Sequence, residues 1–195
     1  MKALLINGHE KVSHAKGKLN HAFFTVAQNT LKTLGYETKR IIIDEGYDVE
    51  EAIQNIIWAD VLIYQTPVFW FSIPGKFKTF IDRVFGAGRL RFFIPDSETM
   101  EYGTRGNLTD KSYMLTTTWN TPESVFNNKE AFLIKDKSAD DVFLLFHMSN
   151  RYFGMKQLPS FGTFDIYHNP TITEDLKTYK EHLIKYIGQT NQSTK

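Results

Sequence analysis

Apolar residues along this chain follow two rhythms. Some form short unbroken runs, Ala3-Leu4-Leu5-Ile6, Ile41-Ile42-Ile43 and Val61-Leu62-Ile63-Tyr64, and others recur every three or four positions among polar ones. An apolar run that stops at a turn signal such as Asn7-Gly8 reads as a strand buried on both faces, whereas a spacing of three and four lines up one helical stripe. The first half therefore predicts strands at 3–6, 41–43 and 61–64. Between them lie a helix carrying Leu19, Ala22, Phe23, Val26, Thr30, Leu31 and Leu34, stopped by Gly35, and a helix capped by Asp48 with Ala52, Ile53, Ile56 and Ile57 inward. A third helix begins at Pro74, buries Phe77, Phe80, Ile81 and Val84, and ends near Gly86.

Residues 86–110 keep no period and read as a long functional loop. A fourth strand at 112–119 is closed by Asn120-Thr121-Pro122. Ser138 then caps a helix with Val142, Leu145, Phe146, Ser149 and Phe153 inward and Gly154 as its stop. A weaker fifth strand at 158–166 precedes a helix capped by Thr173, with Leu176, Tyr179, Leu183 and Ile187 inward, and a polar tail, 189–195, that should fray. Strands alternating with helices imply an α/β fold, one domain over 1–195 with a parallel sheet covered on both faces and right-handed crossovers. Two doubly wound strand orders remain open. In either, ligands sit beyond the carboxyl ends of the strands, where the order reverses, and the loops 9–18, 67–73 and 119–122 all fall at that edge.

Composition narrows the chemistry. With 195 residues, 42% of them hydrophobic, the chain can bury one substantial core. A balance of 23 basic against 22 acidic residues provides no global field for nucleic acid or an anionic membrane, so a small-molecule substrate is expected. The absence of cysteine removes disulfides, thiolate metal sites and a cysteine nucleophile, which fits a cytoplasmic location. No apolar stretch approaches bilayer length, so a soluble protein is expected, without stable membrane insertion. The six histidines lack paired ligand spacing, no metal is assigned, and His147 reads as packed or solvated. No G-x-S-x-G elbow supports hydrolysis.

Three stretches carry candidate chemistry. The first loop, residues 7–20, has neither G-x-G-x-x-G nor a Walker lysine motif, yet it offers a helix N-terminus, Gly17, Ser13, Asn20, Lys16 and Lys18, a receptor for a phosphate or diphosphate. Its alternative is a solvated polar loop. The third loop carries the consecutive aromatics Phe69-Trp70-Phe71, where connectors are normally polar. The amides of Val68, Phe69 and Trp70 could bond the polar edge of a flat heterocycle while the rings wall it; the alternative is a core plug or a dimer interface. On the fourth strand Thr116 and Thr118 point one way and Thr117 and Trp119 the other, placing hydroxyls and amides for the pyrimidine edge of a flavin, unless the threonines reflect only strand propensity.

Pro67-Val68-Phe69-Trp70-Phe71-Ser72-Ile73-Pro74-Gly75, followed by Phe80-Ile81-Asp82-Arg83-Val84-Phe85, resembles the flavin loop and next helix of the NAD(P)H quinone oxidoreductases of flavodoxin-like fold. Ile6-Asn7-Gly8, His14-Ala15-Lys16-Gly17-Lys18-Leu19-Asn20, Trp58-Ala59-Asp60, Tyr102-Gly103, Thr118-Trp119-Asn120 and Leu158-Pro159 are similar, in order, to the bacterial branch called modulator of drug activity B. The resemblance implies a flavodoxin-like, doubly wound, five-stranded parallel sheet of strand order 2-1-3-4-5. It also implies a homodimer with FAD, rather than FMN, at its interface.

On the matching positions, His14, Ala15, Lys16, Gly17, Lys18, Leu19, Asn20, His21 and Ala22 would cradle the diphosphate. Pro67, Val68, Phe69, Trp70, Tyr102, Thr117, Thr118, Trp119, Asn120 and Thr121 would hold the flavin, and Phe69 and Phe71 would meet the quinone. The implied reaction is a two-electron ping-pong exchange from NAD(P)H to a quinone. Two departures stand out. The tyrosine and histidine that form a proton relay after the fourth strand in animal quinone reductases are missing between Asn120 and Asn128, leaving water or Tyr102 as the proton source. Val68-Phe69-Trp70-Phe71 also stands where the bacterial branch has Gly-Trp-Trp-Met, which alters the pocket and its acceptor preference. An FMN-dependent azo- or nitroreductase and a non-catalytic flavodoxin-like regulatory subunit are the competing readings.

Overall fold

In the computed structural model, which describes residues 1–13, 15–95 and 100–188, every residue of β1 (Lys2–Asn7) after Lys2 is buried. Leu4 and Ile6 enter the core on one sheet face, Ala3 and Leu5 the core on the other. Both faces of the strand are dry, which is why its sequence does not alternate. β3 (Val61–Pro67) and β4 (Ser112–Thr118) are buried in the same way, while β2 (Glu37–Ile42) lies at the edge. The expected second strand at 41–43 is displaced. Its polar residues Glu37 to Arg40 pair with β1, and Ile43 instead opens a short 3-10 turn, Ile43–Glu45. An edge strand has one ladder neighbour and meets water, so charged residues are tolerated there.

The strands run parallel in the order β2-β1-β3-β4-β5, which decides between the two doubly wound orders. The fifth position is split. β5 (Lys156–Gln157) pairs with Ser112 and Tyr113, and β6 (Phe161–Thr163) pairs with Thr116 to Thr118, so of the expected strand at 158–166 only 161–163 is a strand, and a second short piece precedes it. Pro159 lies between them, with no N–H to give the ladder.

Helices α1 (Lys18–Thr33) and α6 (Ile172–Ile187) cover one face, burying Phe23, Phe24, Ala27 and Leu31 against Tyr179, Leu183 and Ile187. Helices α2 (Val49–Trp58), α3 (Gly75–Phe92) and α5 (Leu144–Tyr152) cover the other. Asp48 caps α2 as expected, accepting the Glu51 amide at 2.8 Å. Ile57 is 37% exposed rather than inward, and Asn55 is buried in its place with Lys39 on its side-chain oxygen. Asp175, in the first turn of α6, takes the Thr171 hydroxyl, and that helix starts at Ile172, one residue before the expected cap Thr173.

Two helices depart further. α3 does not end near Gly86 but runs through Gly86 and Gly88 to Phe92, so residues 86–92 belong to a helix and not to a loop. Phe92 is fully buried, edge-on to Phe85 and Phe153, and its ring lies so near Gly88 that an added Cβ would come within 2.4 Å. Burying a phenylalanine contributes about 1.5–3 kcal/mol, enough to offset the roughly 1 kcal/mol that each helical glycine costs. The fourth expected helix is two. Ser138 and Asp141 form a reciprocal capping box on α4 (Ala139–Val142), but the backbone breaks at Phe143 and α5 restarts out of phase. Phe143, Phe146, His147 and Asn150 are therefore inward, while Leu145 is 77% exposed and Ser149 and Val142 only half-buried. Among the described residues no helix is long and apolar enough to cross a membrane.

Candidate functional site

The carboxyl ends of β1 and β3 are joined by a buried polar network. Asn7 Oδ1 accepts the His9 amide (3.0 Å) and the Asn20 side-chain NH2 (2.5 Å), and Asn20 Oδ1 accepts Gln65 Nε2 (3.0 Å). Gln65 Oε1 is buried and has no hydrogen-bond partner among the described residues. The loop between β1 and α1 folds over His9. The His9 ring bonds the Ala15 carbonyl (3.2 Å) and lies under Gly17, where an added Cβ would come within 2.5 Å of it. Gly17 is left-handed (φ 77°), so both its conformation and its closeness to His9 require glycine.

α1 opens at Gly17 with no side-chain cap and no acidic residue in its first turn. By contrast α2 starts with Glu50 and Glu51, and α6 with Glu174 and Asp175. The first amides of α1 and the positive end of its dipole are thus left for an anion, with Lys16 and Lys18 beside them. His14, assigned to the same loop from the sequence, lies outside the described residues, as does the tail 189–195.

The aromatic loop after β3 is a tight turn. Phe69 and Ser72 exchange both N–H···O bonds (2.9 and 3.0 Å), making Trp70 and Phe71 the central pair, and both have positive φ (52° and 61°). Such positions normally hold Asn-Gly, and a left-handed residue with a side chain costs roughly 1–2 kcal/mol. The turn nevertheless leaves Trp70 94% exposed. Strain and exposure together mark a segment shaped for something other than stability. One expectation is corrected here. The Val68 amide donates to Thr118 O (3.0 Å) and the Phe69 amide to Ser72 O, so of the three amides expected to face a ligand only that of Trp70 is uncommitted.

These segments enclose a cleft of about 880 Å³. Ala15, Lys16, Gly17, Lys18, Leu19, Asn20 and Ala22 line it from the first loop and α1, Pro67, Val68, Phe69 and Trp70 from the turn, and Thr118 and Asn120 from the end of β4. A second cavity of about 770 Å³ shares Val68, Trp70 and Asn120 with it and adds Phe71, Thr121, Asn128, Phe132, Leu133 and His168.

Several expected residues do not join. His21 is exposed on α1 outside the cleft. Thr117 lies outside both cavities, accepting Trp119 Nε1 at 2.8 Å, and Trp119 is buried among Phe126, Phe143 and Phe164, touching only the second cavity. Tyr102 is 90% exposed in a different cleft of about 700 Å³ with Arg89, Phe93, Arg105 and Tyr152. Within one chain it is not part of the main site. Sequence reasoning in turn missed His9, Val12, Ile166, Tyr167, Pro170 and Ile172, which also line the main cleft. The connection after the fifth strand opens at the same carboxyl edge as the other three, and that position was the available signal.

The buried tyrosines are structural. Burial pushes the phenols of Tyr64, Tyr113 and Tyr179 well above the ordinary tyrosine range, which keeps them neutral in the core. His147 is packed. It accepts the Tyr113 hydroxyl at Nδ1 (2.9 Å), and its Nε2 faces Asp140 (3.2 Å). Among the described residues no cluster of histidine and carboxylate side chains has metal-site geometry.

Residues 1–187 match the family described as having a flavodoxin-like fold. The chain is 35% identical to NADPH:quinone oxidoreductase MdaB of Haemophilus influenzae over 193 residues, covering 96% of this chain and 100% of that protein. It is 37% identical to an uncharacterised protein of Schizosaccharomyces pombe, covering 98% of this chain and 100% of the other. Among solved structures, the FMN-dependent NADH-azoreductase of Bacillus anthracis in complex with FMN superposes with a TM-score of 0.64 at 16% identity, covering 97% of this chain and 99% of that one.

Proposed function

This chain belongs to the flavodoxin-like NAD(P)H quinone oxidoreductase family, in the modulator of drug activity B branch, and from that premise we propose that it is an FAD-dependent enzyme carrying two electrons at a time from NAD(P)H to quinones. One observation carries the reading. A helix start without cap or carboxylate and a strained aromatic turn face each other across a single cleft, a seat for a diphosphate and a slot for a flat ring system. A bound flavin supplies the reversible two-electron chemistry.

The chain's own residues then divide the work. Lys16, Lys18 and the amides opening α1 neutralise and orient the diphosphate. Pro67 to Trp70, with Thr118 and Asn120, hold the ring system, the uncommitted Trp70 amide facing its polar edge. Phe71 lines the second cavity, which the acceptor would take in turn with NAD(P)H, in the ping-pong order, and Phe69 would meet it from the adjoining cleft. Tyr102 serves the site of a second copy, in a homodimer of single-domain subunits working in the cytoplasm.

Purified protein should be yellow and should oxidise NADPH in the presence of menadione. A colourless preparation that takes up neither FAD nor FMN overturns the proposal, and flavin without turnover favours the regulatory-subunit reading. The FMN reading rests on the structural likeness to an FMN-dependent azoreductase. Lys16→Ala combined with Lys18→Ala separates the two, because only FAD has a diphosphate. The pair should weaken FAD by about 2 kcal/mol and FMN by less, measured by flavin fluorescence titration; equal losses favour FMN.

A further inference from the structure

Reducing a quinone with NAD(P)H consumes a proton: NAD(P)H, quinone and H⁺ become NAD(P)⁺ and hydroquinone. The hydride equivalent brings the electron pair and one hydrogen, and the other quinone oxygen, left anionic, must take its hydrogen as a proton. Resting on the quinone reductase reading above, we infer that His168 is the residue that gives this proton.

The second cavity supports this by elimination and by anchoring. Of the described residues of one chain that line it, His168 alone has an ionisable side chain; the others are apolar, amide or hydroxyl residues. The charged groups nearest along the chain, Glu123, Lys129, Glu130 and Asp165, do not line it. The other described histidines are committed or distant. His9 is bonded to Ala15 O, His147 lies between Tyr113 and Asp140, His182 is bonded to Pro159 O, and His21 is exposed on α1.

The segment that carries His168 is also anchored. The Asp165 amide donates to Thr121 O and the Ile166 amide to Trp119 O (both 3.2 Å), fastening its segment to the strand end that carries Asn120 and Thr121. Asp165 is left-handed (φ 51°), and Asn169 returns to it through its amide and side chain, closing a turn with His168 beside the cavity. In the reaction the imidazolium N–H bond breaks as an O–H bond forms on the product oxygen. Because the ring is exposed, solvent restores its proton.

The test uses the flavin-loaded wild type and its His168→Ala variant in stopped flow. Oxidation of the reduced enzyme by menadione should fall about 100-fold or more in the variant, at least ten times more than reduction by NADPH falls, and free imidazole should restore part of it. A readout without turnover is binding of lawsone, a hydroxynaphthoquinone whose anion resembles the anionic product. Followed by the flavin absorbance, its affinity should drop about tenfold in the variant. Wild-type rates with menadione and unchanged lawsone binding in His168→Ala overturn the inference alone. A wild type that takes up no flavin and oxidises no NADPH overturns the quinone reductase reading as well.

Discussion

Trp70 and Phe71 hold a backbone conformation suited to glycine, with Trp70 almost wholly in water and Phe71 42% exposed, so neither local propensity nor deep burial accounts for them. If the turn exists to shape a ligand wall, relieving it should separate stability from binding. Trp70→Asn combined with Phe71→Gly should raise thermal stability by about 1–2 kcal/mol and weaken flavin retention. Melting followed by circular dichroism, with flavin absorbance after gel filtration, checks both halves; a lower melting point would contradict the strain. His182 supports a pH prediction. Burial between Phe161 and Tyr186 lowers its pKa from the ordinary 6.5, so at mildly acidic pH the unfolded chain holds the extra proton and the folded one resists it. Stability therefore falls as pH drops through that interval. His182→Gln should flatten the fall, as read from urea midpoints across pH 5 to 7, and an unchanged slope would assign it to other groups.

Among the elements, α3 shows how packing overrides a local stop signal. Gly86-Ala87-Gly88 reads as the end of a helix, but Phe92 reaches the core only if the helix continues. The chain then turns back, with Phe93 bridged to Gly106 and the Leu108 amide on Phe153 O. At Gly106 an added Cβ would lie 2.1 Å from the backbone of Phe153, which cannot rotate away as a side chain can. Gly106→Ala should therefore destabilise the protein by about 1–3 kcal/mol, read from chemical denaturation, and a neutral result would mean that the two segments separate easily. The break at Phe143 is likewise invisible to a spacing count. Counting from Ser138 assumes one unbroken helix; with the break at Phe143, Phe146 and Phe153 stay inward as expected, but His147 and Asn150 replace Leu145 and Ser149 on the buried side.

At the scale of the molecule, two cores on opposite faces of a parallel sheet bring four loops to one edge. That arrangement alone makes a site of residues far apart in sequence. It does not bring Tyr102 to that site, and so the homodimer becomes a measurable requirement. Light scattering should give a dimer, and Tyr102→Ala should lower flavin affinity by about 1 kcal/mol without altering the fold. A monomer that binds flavin fully, or a variant that binds it as tightly, would remove Tyr102 from the site.

The strands of the centre and the caps at Asp48 and Ser138 could be read from the sequence, as could most of the first-loop and aromatic-turn residues that line the cleft, because burial on two faces, capping and helical spacing are local patterns. Where the signal lay between distant segments the sequence was silent. Residue pattern alone left two strand orders open, and the order 2-1-3-4-5 that the sheet adopts came from the family resemblance; nor could the pattern commit the Val68 and Phe69 amides, whose partners become available only when β3 meets β4 and the turn closes. Nor could it place His9 beneath Gly17 or His168 in the lining of the second cavity. A side chain's chemical type is written in the chain, but what it faces is decided by the packing of elements that the sequence keeps far apart.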